Sequence, residues 1–152
     1  MTHVAIDPGP EQSAWCLWDG QRLLGSGIQP NAEILYLIDE DPAWKGRLAI
    51  EEIASYGMAV GKEVFRTCFE SGRFAEAWRR TGNGEAHMVE RRFIKMHHCH
   101  SARATDANIR QALIDRFGAP GKKKEPGMLF GVKSHIWAAL ALAVYAHDTA
   151  AG

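Results

Sequence analysis

The chain has 152 residues, 46% of them hydrophobic and 9% aromatic, which is enough for one domain with its own core. Lysine plus arginine and aspartate plus glutamate number 18 each, so net charge gives no indication of nucleic-acid binding, and any DNA-binding charge must be local. No apolar run approaches the roughly 20 residues of a membrane-spanning helix, no secretory signal pattern opens the chain, and Cys16, Cys68 and Cys99 are too widely spaced for a disulfide framework. We therefore expect a single cytoplasmic domain over residues 1–152 that binds no membrane.

The first half of the chain predicts an antiparallel meander followed by a helix and a further strand. Three apolar, partly β-branched segments separated by the turn sequences DPGP and DG predict strands at residues 2–7, 13–18 and 22–28. Asn31 is placed to cap a short helix that runs to about Ile38, and residues 47–53 form a fourth strand. This order of elements indicates an α/β domain.

The second half predicts three helices, one strand and one loop. Residues 61–80 form a helix whose apolar side faces the sheet and contains Val60, Val64, Cys68 and Trp78. Residues 88–96 form a fifth strand, 105–117 a capped helix, and 131–147 a final helix that is apolar nearly all round and therefore needs burial on two sides. A mobile basic loop is expected at 118–127, which contains two prolines and the lysines Lys122, Lys123 and Lys124.

Two acidic side chains at strand ends are candidates for metal binding. Asp7 ends an apolar strand immediately before a Pro-Gly turn, and Glu51 follows the buried segment 48–50. Because side chains alternate along a strand, only one of Glu51 and Glu52 points as Asp7 does. Carboxylate oxygens are what Mg²⁺ prefers, and phosphodiester hydrolysis uses such ions to activate water. The plainer alternatives are a turn-forming aspartate and surface acids on an edge strand.

Histidines supply two further candidates for metal binding. His135 lies near the start of the final helix, where its imidazole can face the same carboxylates and either bind metal or orient the attacking water. A lone histidine in such a place is more often structural. The cluster at residues 97–100, of sequence HHCH, resembles a zinc site, but neighbouring residues on an extended chain point alternately and cannot all bind one ion. Structural zinc is therefore the less favoured interpretation.

A row of basic residues on the helix predicted over 61–80 is a candidate DNA-binding surface. Its members lie within about 40° of one another on a helical wheel, and they are Lys62, Arg66, Arg73 and Arg80. The acids of this helix, Glu63, Glu70 and Glu76, lie off the row, so we expect no acidic side chain to interrupt it. Phosphate binding is favoured over a merely solvated surface.

Other residues extend this surface. Four further lysines are expected to extend the DNA-binding surface, namely Lys122, Lys123, Lys124 and Lys133. Tyr56 follows the strand that holds Glu51, where its ring can either stack on an unpaired base or pack in the core.

Four segments of the chain together resemble RuvC-type Holliday junction resolvases, and most closely the small RuvC-like proteins of phages and prophages. They are VAIDPG from residue 4, LAIEEIASYGMAVGKEVF from residue 48, SARATDANIRQALIDRFG from residue 101 and GVKSHIWAALALAVYA from residue 131. Their order and spacing cover nearly the whole chain and are more specific than any one segment. The resemblance implies a ribonuclease H-like α/β fold, with a mixed five-stranded sheet whose first three strands are antiparallel and which is flanked by helices.

The resemblance also implies roles for individual residues. Asp7 matches the family's first-strand catalytic aspartate, Glu51 its catalytic glutamate, and His135 the first of two metal ligands on the final helix. These side chains would hold Mg²⁺, with Mn²⁺ as a substitute, for the hydrolysis of branched DNA. A four-way junction has two-fold symmetry and needs paired cuts, so a homodimer is expected.

The sequence departs from the family pattern at two positions. Ala138 stands where the second ligand of the final helix is expected and cannot bind metal. Other acids are then expected to help, namely Glu52, Asp106 or Asp148, although Asp106 is interpreted chiefly as a helix cap. The family's basic residue before that aspartate is Thr105 here, so a phosphate contact is missing or moves to Arg103 or Arg110.

The function expected from these observations is that of a structure-selective endodeoxyribonuclease. It would cut Holliday junctions and other branched DNA in recombination or phage DNA processing, in the cytoplasm of the bacterial host if a phage encodes it. The alternative is a catalytically impaired junction-binding protein of the same fold, because Ala138 removes a ligand. An actin-like ATPase is disfavoured, since it needs a second copy of the fold to enclose a nucleotide.

Overall fold

Five strands form one mixed sheet in the computed structural model of the protein, which describes residues 1–150. In sheet order they are β3 (Leu23–Pro30), β2 (Gln12–Trp18), β1 (His3–Asp7), β4 (Arg47–Glu52) and β5 (His87–Glu90). The first three strands along the chain pair antiparallel, whereas β4 runs parallel to β1 and β5 runs parallel to β4. The predicted α/β fold, with a mixed five-stranded sheet that begins as an antiparallel meander, is confirmed.

Helices and one small hairpin complete the described part of the chain. The helices are α1 (Asn31–Glu40), α2 (Lys62–Arg80), α3 (Arg91–Cys99), α4 (Asp106–Phe117) and α5 (Ile136–Thr149). The hairpin pairs β6 (Gly121–Lys122) with β7 (Glu125–Pro126). Among residues 1–150, no helix combines the length and the apolar character that crossing a bilayer requires.

Side-chain alternation along the two central strands divides the interior into two layers. Val4 and Ile6 of β1 belong to a core layer with α1 and α2, and Leu48 and Ile50 of β4 join them. Ala5, between the two β1 residues, faces the opposite layer, where α5 packs on the sheet. The sheet is therefore covered on both faces. Alternate residues along each strand point into opposite layers.

Helix α5 is buried from two sides, as its all-round apolar sequence predicted. Its residues 139–144 are all buried, and the helix packs against β1 and β2 on one side and against α3 and α4 on the other. Small alanines alternate with leucine and valine in this stretch, so both neighbouring layers can approach closely. The helix is the centre of the larger core layer.

The fifth strand is much shorter than expected. Strand β5 ends at Glu90, and residues 91–99 form α3 instead of continuing the predicted strand over 88–96. The reason is tertiary: Ile94 and His98 lie one helical turn apart and both face the core layer, where Ile94 is buried and the His98 ring hydrogen-bonds the Ala141 carbonyl oxygen at 2.8 Å. A helix places these two residues about 6 Å apart along its axis, whereas a strand would separate them by about 13 Å.

The predicted apolar side of α2 was partly wrong: Trp78 is buried as expected, but Cys68 is not. Cys68 is exposed, and the buried face carries Thr67, Ser71, Phe74 and Trp78. Two hydroxyl residues can occupy this face because each donates back to its own helix: Thr67 to the Glu63 carbonyl oxygen and Ser71 to the Thr67 carbonyl oxygen, both at 2.9 Å. Because these buried residues are polar, the sequence contains no apolar pattern that marks this face of the helix as the buried one.

Three smaller expectations were also wrong. The predicted basic loop over 118–127 contains the β6–β7 hairpin, and α5 begins at Ile136, five residues later than expected. Asn31 is the first residue of α1 and makes no capping hydrogen bond, since the cap position belongs to Pro30. Instead, the Asn31 side chain reaches back to the turn after β1, which positions the candidate site.

Candidate active site

The turn after β1 presents Asp7 at the edge of the sheet. Asp7 lies two residues after Ala5 on β1, so its side chain points to the same side of the sheet, the side on which α5 packs. The following turn is held by other groups: Asn31 donates to the Gly9 carbonyl oxygen at 3.0 Å, and Ser13 donates to the Asn31 side-chain oxygen at 2.6 Å. Because these buried polar groups satisfy the turn, the Asp7 carboxylate is left free to face a cavity.

Glu51 meets Asp7 at this edge. Strands β1 and β4 are parallel, with Ile6 paired to Ile50, so the next residue of each strand lies at the same end of the sheet. Glu51 shares the parity of Ala49, which faces α5, whereas Glu52 has the opposite parity, is exposed and does not line the cavity. The expectation that only one of the two glutamates points as Asp7 does is confirmed.

The two carboxyl groups are strongly coupled. Their side chains are only 12% and 14% exposed, and both line the same cavity. Burial raises the pKa of Asp7 from its ordinary 3.8 to about 8, and the charge of Glu51 acts in the same direction, whereas Arg91 opposes them. Two buried carboxyl groups that raise each other's energy when ionised are a favourable place for a cation.

His135 completes the group that the sequence singled out. It stands at the N-cap position of α5, and its Nδ1 lies 3.1 Å from Asp7 Oδ2. The ring is 77% exposed, so it lies at the rim of the site where solvent and substrate have access. The preceding Ser134 has a positive φ of 50°, an uncommon backbone conformation that ends the loop before α5. The structure therefore brings all three predicted residues together.

A cavity of about 360 Å³ contains these groups. Its walls include Asp7, Glu51 and His135, together with Ala138 from α5 and Asp106 from α4. A second cavity of about 710 Å³ shares Asp7 and His135 and continues along the turn at residues 8–12 to Thr67 of α2. Asp7 and His135 thus stand where two depressions of the surface meet.

Arg91 is a site residue that the sequence analysis missed. It follows β5 directly and lines the cavity, with its Nη1 atom 3.1 Å from Glu51 Oε1 and its Nη2 atom in contact with the Asp106 carboxylate. A signal for it existed, because β5 runs parallel to β4 and ends at the same sheet edge as Glu51. The expectation that a strand continued to residue 96 concealed this position.

No protein-family model matches the chain, and no curated protein gives a significant match. Among solved structures, a Thermus thermophilus RuvC structure is 17% identical with a TM-score of 0.71, and T. thermophilus RuvC in complex with Holliday junction substrate is 16% identical with a TM-score of 0.70. Each alignment covers 97% of this chain and 93% of the other. The chain has a RuvC-like fold.

Within this RuvC-like fold, the donor set suits one hard divalent cation. Asp7 and Glu51 offer carboxylate oxygens whose mutual repulsion a cation would relieve, and His135 offers a ring nitrogen beside Asp7. Throughout residues 1–150, no group of three or more His, Cys, Asp or Glu side chains is arranged so that it could hold a metal ion. The residues fit a site that is completed by solvent and substrate oxygens, as is usual for Mg²⁺.

The other acids suggested as ligands lie in different situations. Asp106 lines the cavity, but the helix cap is Thr105, which forms a capping box with Asn108, so the expectation that Asp106 is the cap was wrong. Asp148 pairs with Arg116 and with His97, whose Nε2 atom lies 2.8 Å from Asp148 Oδ2, and it does not line the cavity. Of the suggested helpers, only Asp106 lines this cavity.

The histidine cluster at residues 97–100 is helical over its first three residues. The premise of an extended chain was therefore wrong. His97 points to Asp148, whereas His98 points to the Ala141 carbonyl oxygen. The two rings thus have separate partners and do not converge on one point.

The basic row on α2 is exposed but is interrupted by an acid. Glu70, whose side chain is only 2% exposed, lies between Arg66 and Arg73 and forms an ion pair with each at 3.2 Å. The expectation of an uninterrupted row was wrong because Glu70 stands one turn from both arginines. Lys62 and Arg80 are also exposed, and the exposed Phe69 ring lies 5.8 Å from each of the two paired guanidinium groups.

The remaining predicted DNA contacts are all at the surface. Tyr56 is 59% exposed, so it does not pack in the core. The exposed lysines of the β6–β7 region and of the segment before α5 are Lys122, Lys123, Lys124 and Lys133. None of these residues lines the cavity around Asp7, so any role they have is in holding a substrate rather than in its chemistry.

Proposed function

We propose that the protein is a divalent-metal-dependent endonuclease that cuts Holliday junctions and other branched DNA, a resolvase built as one ribonuclease H-like domain over residues 1–152. The observation that carries this proposal is the meeting of Asp7, Glu51 and His135 in one cavity of a RuvC-like fold. The small RuvC-like proteins of phages and prophages are the relatives we propose, with recombination or phage DNA processing as the role.

Asp7 and Glu51 are the residues that would hold the ion. We propose Mg²⁺, with Mn²⁺ able to substitute, which when bound activates water and stabilises the charge that develops on the phosphate. The chain's own contribution is to hold two carboxylates at one buried edge, where the surrounding low dielectric strengthens every electrostatic contact. The rigid network of Ser13, Asn31 and the Gly9 carbonyl keeps Asp7 in place.

His135 would orient the attacking water and accept its proton. Its Nδ1 faces Asp7 at 3.1 Å, which leaves the Nε2 side of an exposed ring directed away from Asp7. A histidine held by a carboxylate on one nitrogen is a suitable proton acceptor on the other. Transfer of the water proton to His135 and breakage of the bond to the 3′ oxygen would leave a 5′-phosphate on the product.

The DNA would approach over the cationic surface and the larger cavity. We propose that the backbone is held by Lys62, Arg66, Arg73, Arg80, Lys122, Lys123, Lys124 and Lys133, and that Tyr56 stacks on an unpaired base. Arg66 and Arg73, whose own side chains are 60% and 47% exposed, would contact phosphate through guanidinium N–H groups that Glu70 does not occupy. A homodimer in the cytoplasm, of the bacterial host if a phage encodes it, would present two sites to the two-fold symmetric junction.

Cleavage of a labelled four-way junction tests the proposal. The junction and a linear duplex of the same sequence are incubated with Mg²⁺, Mn²⁺ or EDTA and with the wild type, Asp7→Asn or the matched control Asp39→Asn, whose residue is exposed on α1. We expect metal-dependent paired cuts in the junction, lost in Asp7→Asn by at least about a thousandfold while junction binding persists. Equal cutting by Asp7→Asn and the wild type would refute the assignment.

A junction-binding protein without nuclease activity is the second candidate. The observation in its favour is Ala138, which lines the cavity with a methyl group where a metal ligand would otherwise stand. Tight and selective binding of the four-way junction, without cleavage in either metal, would establish this alternative.

A further inference from the structure

We infer that Arg91 is a catalytic residue that supplies the second positive charge of the site and binds the scissile phosphate. This inference rests on the proposed nuclease function. The guanidinium group lies in the cavity with Asp7, Glu51 and His135, is 30% exposed, and contacts carboxylates from two different elements. It is the one arginine or lysine among the described residues that line this cavity.

The charges of the cavity call for more than one cation. Asp7, Glu51 and Asp106 bring three carboxyl groups into a volume of about 360 Å³. Arg91 is permanently protonated and pairs with Glu51 and Asp106. A single divalent ion would leave the incoming phosphate without a further positive partner, and Arg91 provides one at a fixed place.

The ligands available argue against a second metal ion at this place. Glu51 and Asp106 already bind Arg91, and Ala138 has no donor atom. A second ion would therefore have to displace the guanidinium group from both carboxylates. The structure is consistent with one ion held by Asp7 and Glu51 together with one permanent organic cation.

Of the two contacts of Arg91, the one with Glu51 is more buried and the one with Asp106 is more exposed, so a substrate can displace Asp106 and leave Glu51 in place. Glu51 is 14% exposed and anchors the Nη1 side of the guanidinium group, whereas the Asp106 side chain is 85% exposed and its ion pair is screened by water. Phosphate can replace Asp106 at low cost, and the planar guanidinium group matches two phosphate oxygens at once. Arg91 would thus stay on Glu51 while exchanging its outer partner for DNA.

Two Arg91 variants test the inference. Arg91→Gln keeps the size and a hydrogen bond to Glu51 but removes the charge, Arg91→Lys keeps the charge, and Arg92→Ala, at the exposed neighbour that pairs with Glu90, is the matched control. We expect Arg91→Gln to lower kcat on the four-way junction about a hundredfold to a thousandfold, with DNA Kd changed less than about threefold. Arg91→Lys should recover at least about tenfold of that loss.

Counting bound Mn²⁺ by electron paramagnetic resonance, without DNA, gives a readout that a merely structural role would not move. We expect one ion per chain in the wild type and in Arg92→Ala, and a second, more weakly bound ion in Arg91→Gln, in which Asp106 is released. Two ions in the wild type, or cleavage by Arg91→Gln within about threefold of Arg92→Ala, would overturn the inference. Thermal unfolding checks that each variant is folded.

The two readouts separate failure of this inference from failure of the proposed function. A wild type that binds one Mn²⁺ but cuts no branched DNA would refute the nuclease proposal, and the gain of a second ion in Arg91→Gln would still support the charge replacement. A wild type that cuts junctions with two ions bound would refute the role of Arg91 alone.

Discussion

Replacing Asp7 by asparagine should stabilise the metal-free protein at alkaline pH. In the folded chain, burial and the neighbouring Glu51 hold the pKa of Asp7 at about 8, whereas its ordinary value is 3.8. Asparagine has nearly the same shape and no charge, so it removes the repulsion without leaving a void. A side chain selected for fold stability alone would behave in the opposite way.

The sign follows from proton binding. Below pH 3.8 Asp7 is protonated in both the folded and the unfolded chain, and between 3.8 and about 8 the folded chain retains a proton that the unfolded chain releases. The free energy of unfolding therefore falls as pH rises through this window, because the folded state binds more protons. The upper limit of the loss is about 6 kcal/mol, since each pKa unit is worth about 1.4 kcal/mol. We expect Asp7→Asn to recover at least about 2 kcal/mol, which is roughly 4–8 °C in Tm.

The assay is urea unfolding in EDTA at about pH 9 and about pH 5, with Asp39→Asn as the matched control. The stabilisation by Asp7→Asn should be larger at the higher pH. Excess Mg²⁺ should then raise the stability of the wild type at high pH but have little effect on Asp7→Asn, because the ion binds the folded state through Asp7. An Asp7→Asn protein that is no more stable than Asp39→Asn at high pH would refute the electrostatic reasoning.

Three further predictions concern the surroundings of the site. Asn31→Ala should cost about 1–3 kcal/mol and reduce cleavage, because it leaves the buried Gly9 carbonyl without its donor; urea unfolding and cleavage rates measure this. Replacing all three of Lys122, Lys123 and Lys124 by alanine should reduce the slope of log K against log salt for DNA binding by up to about 3, since each phosphate contact contributes about 0.9. Ala138→Asp should tighten Mn²⁺ binding by at least about tenfold in a titration, because it adds a charged oxygen ligand to the cavity.

Each of these changes has a control on the surface and an outcome that contradicts it. Asn83→Ala, after α2, should change the free energy of unfolding by less than about 0.5 kcal/mol. An equally small change in Asn31→Ala would show that the Asn31 side chain does not stabilise the turn after β1. Lys45→Ala is the control for the triple lysine variant. If the triple variant has the same slope of log K against log salt as the wild type, the β6–β7 hairpin does not contact DNA. Mn²⁺ binding by Ala138→Asp equal to that of Ala32→Asp, on α1, would show that residue 138 does not face the ion.

The parts of the site that follow from strand alternation were predictable from the sequence. The parity of β1 and β4 places Asp7 and Glu51 on one side of the sheet and Glu52 on the other, and the structure agrees. The position of His135 also agrees, because its place one residue before α5 depends on a long apolar helix that is easy to recognise.

The errors arose where tertiary contacts override local pattern. Helix α3 was expected as a strand because its apolar residues are too few to show a period, and Arg91 was missed with it. On α2, buried Thr67 and Ser71 satisfy their hydroxyl groups within the helix, so the inward face is not the most apolar one. Glu70 is different, because its spacing of four residues from Arg66 and three from Arg73 on a predicted helix already indicates an ion pair with each.

The burial of α5 between the sheet and two other helices has a consequence for hydrogen exchange. The amides of α5 and of the central strands should open only with global unfolding, since these elements share the largest cluster of fully buried side chains. Asp7, Glu51 and the start of α5 belong to this slow-exchanging unit. The outer turns of α2 lie outside that cluster, so their amides should exchange sooner. The proposed DNA-binding surface on α2 can therefore change shape while Asp7 and Glu51 keep their positions.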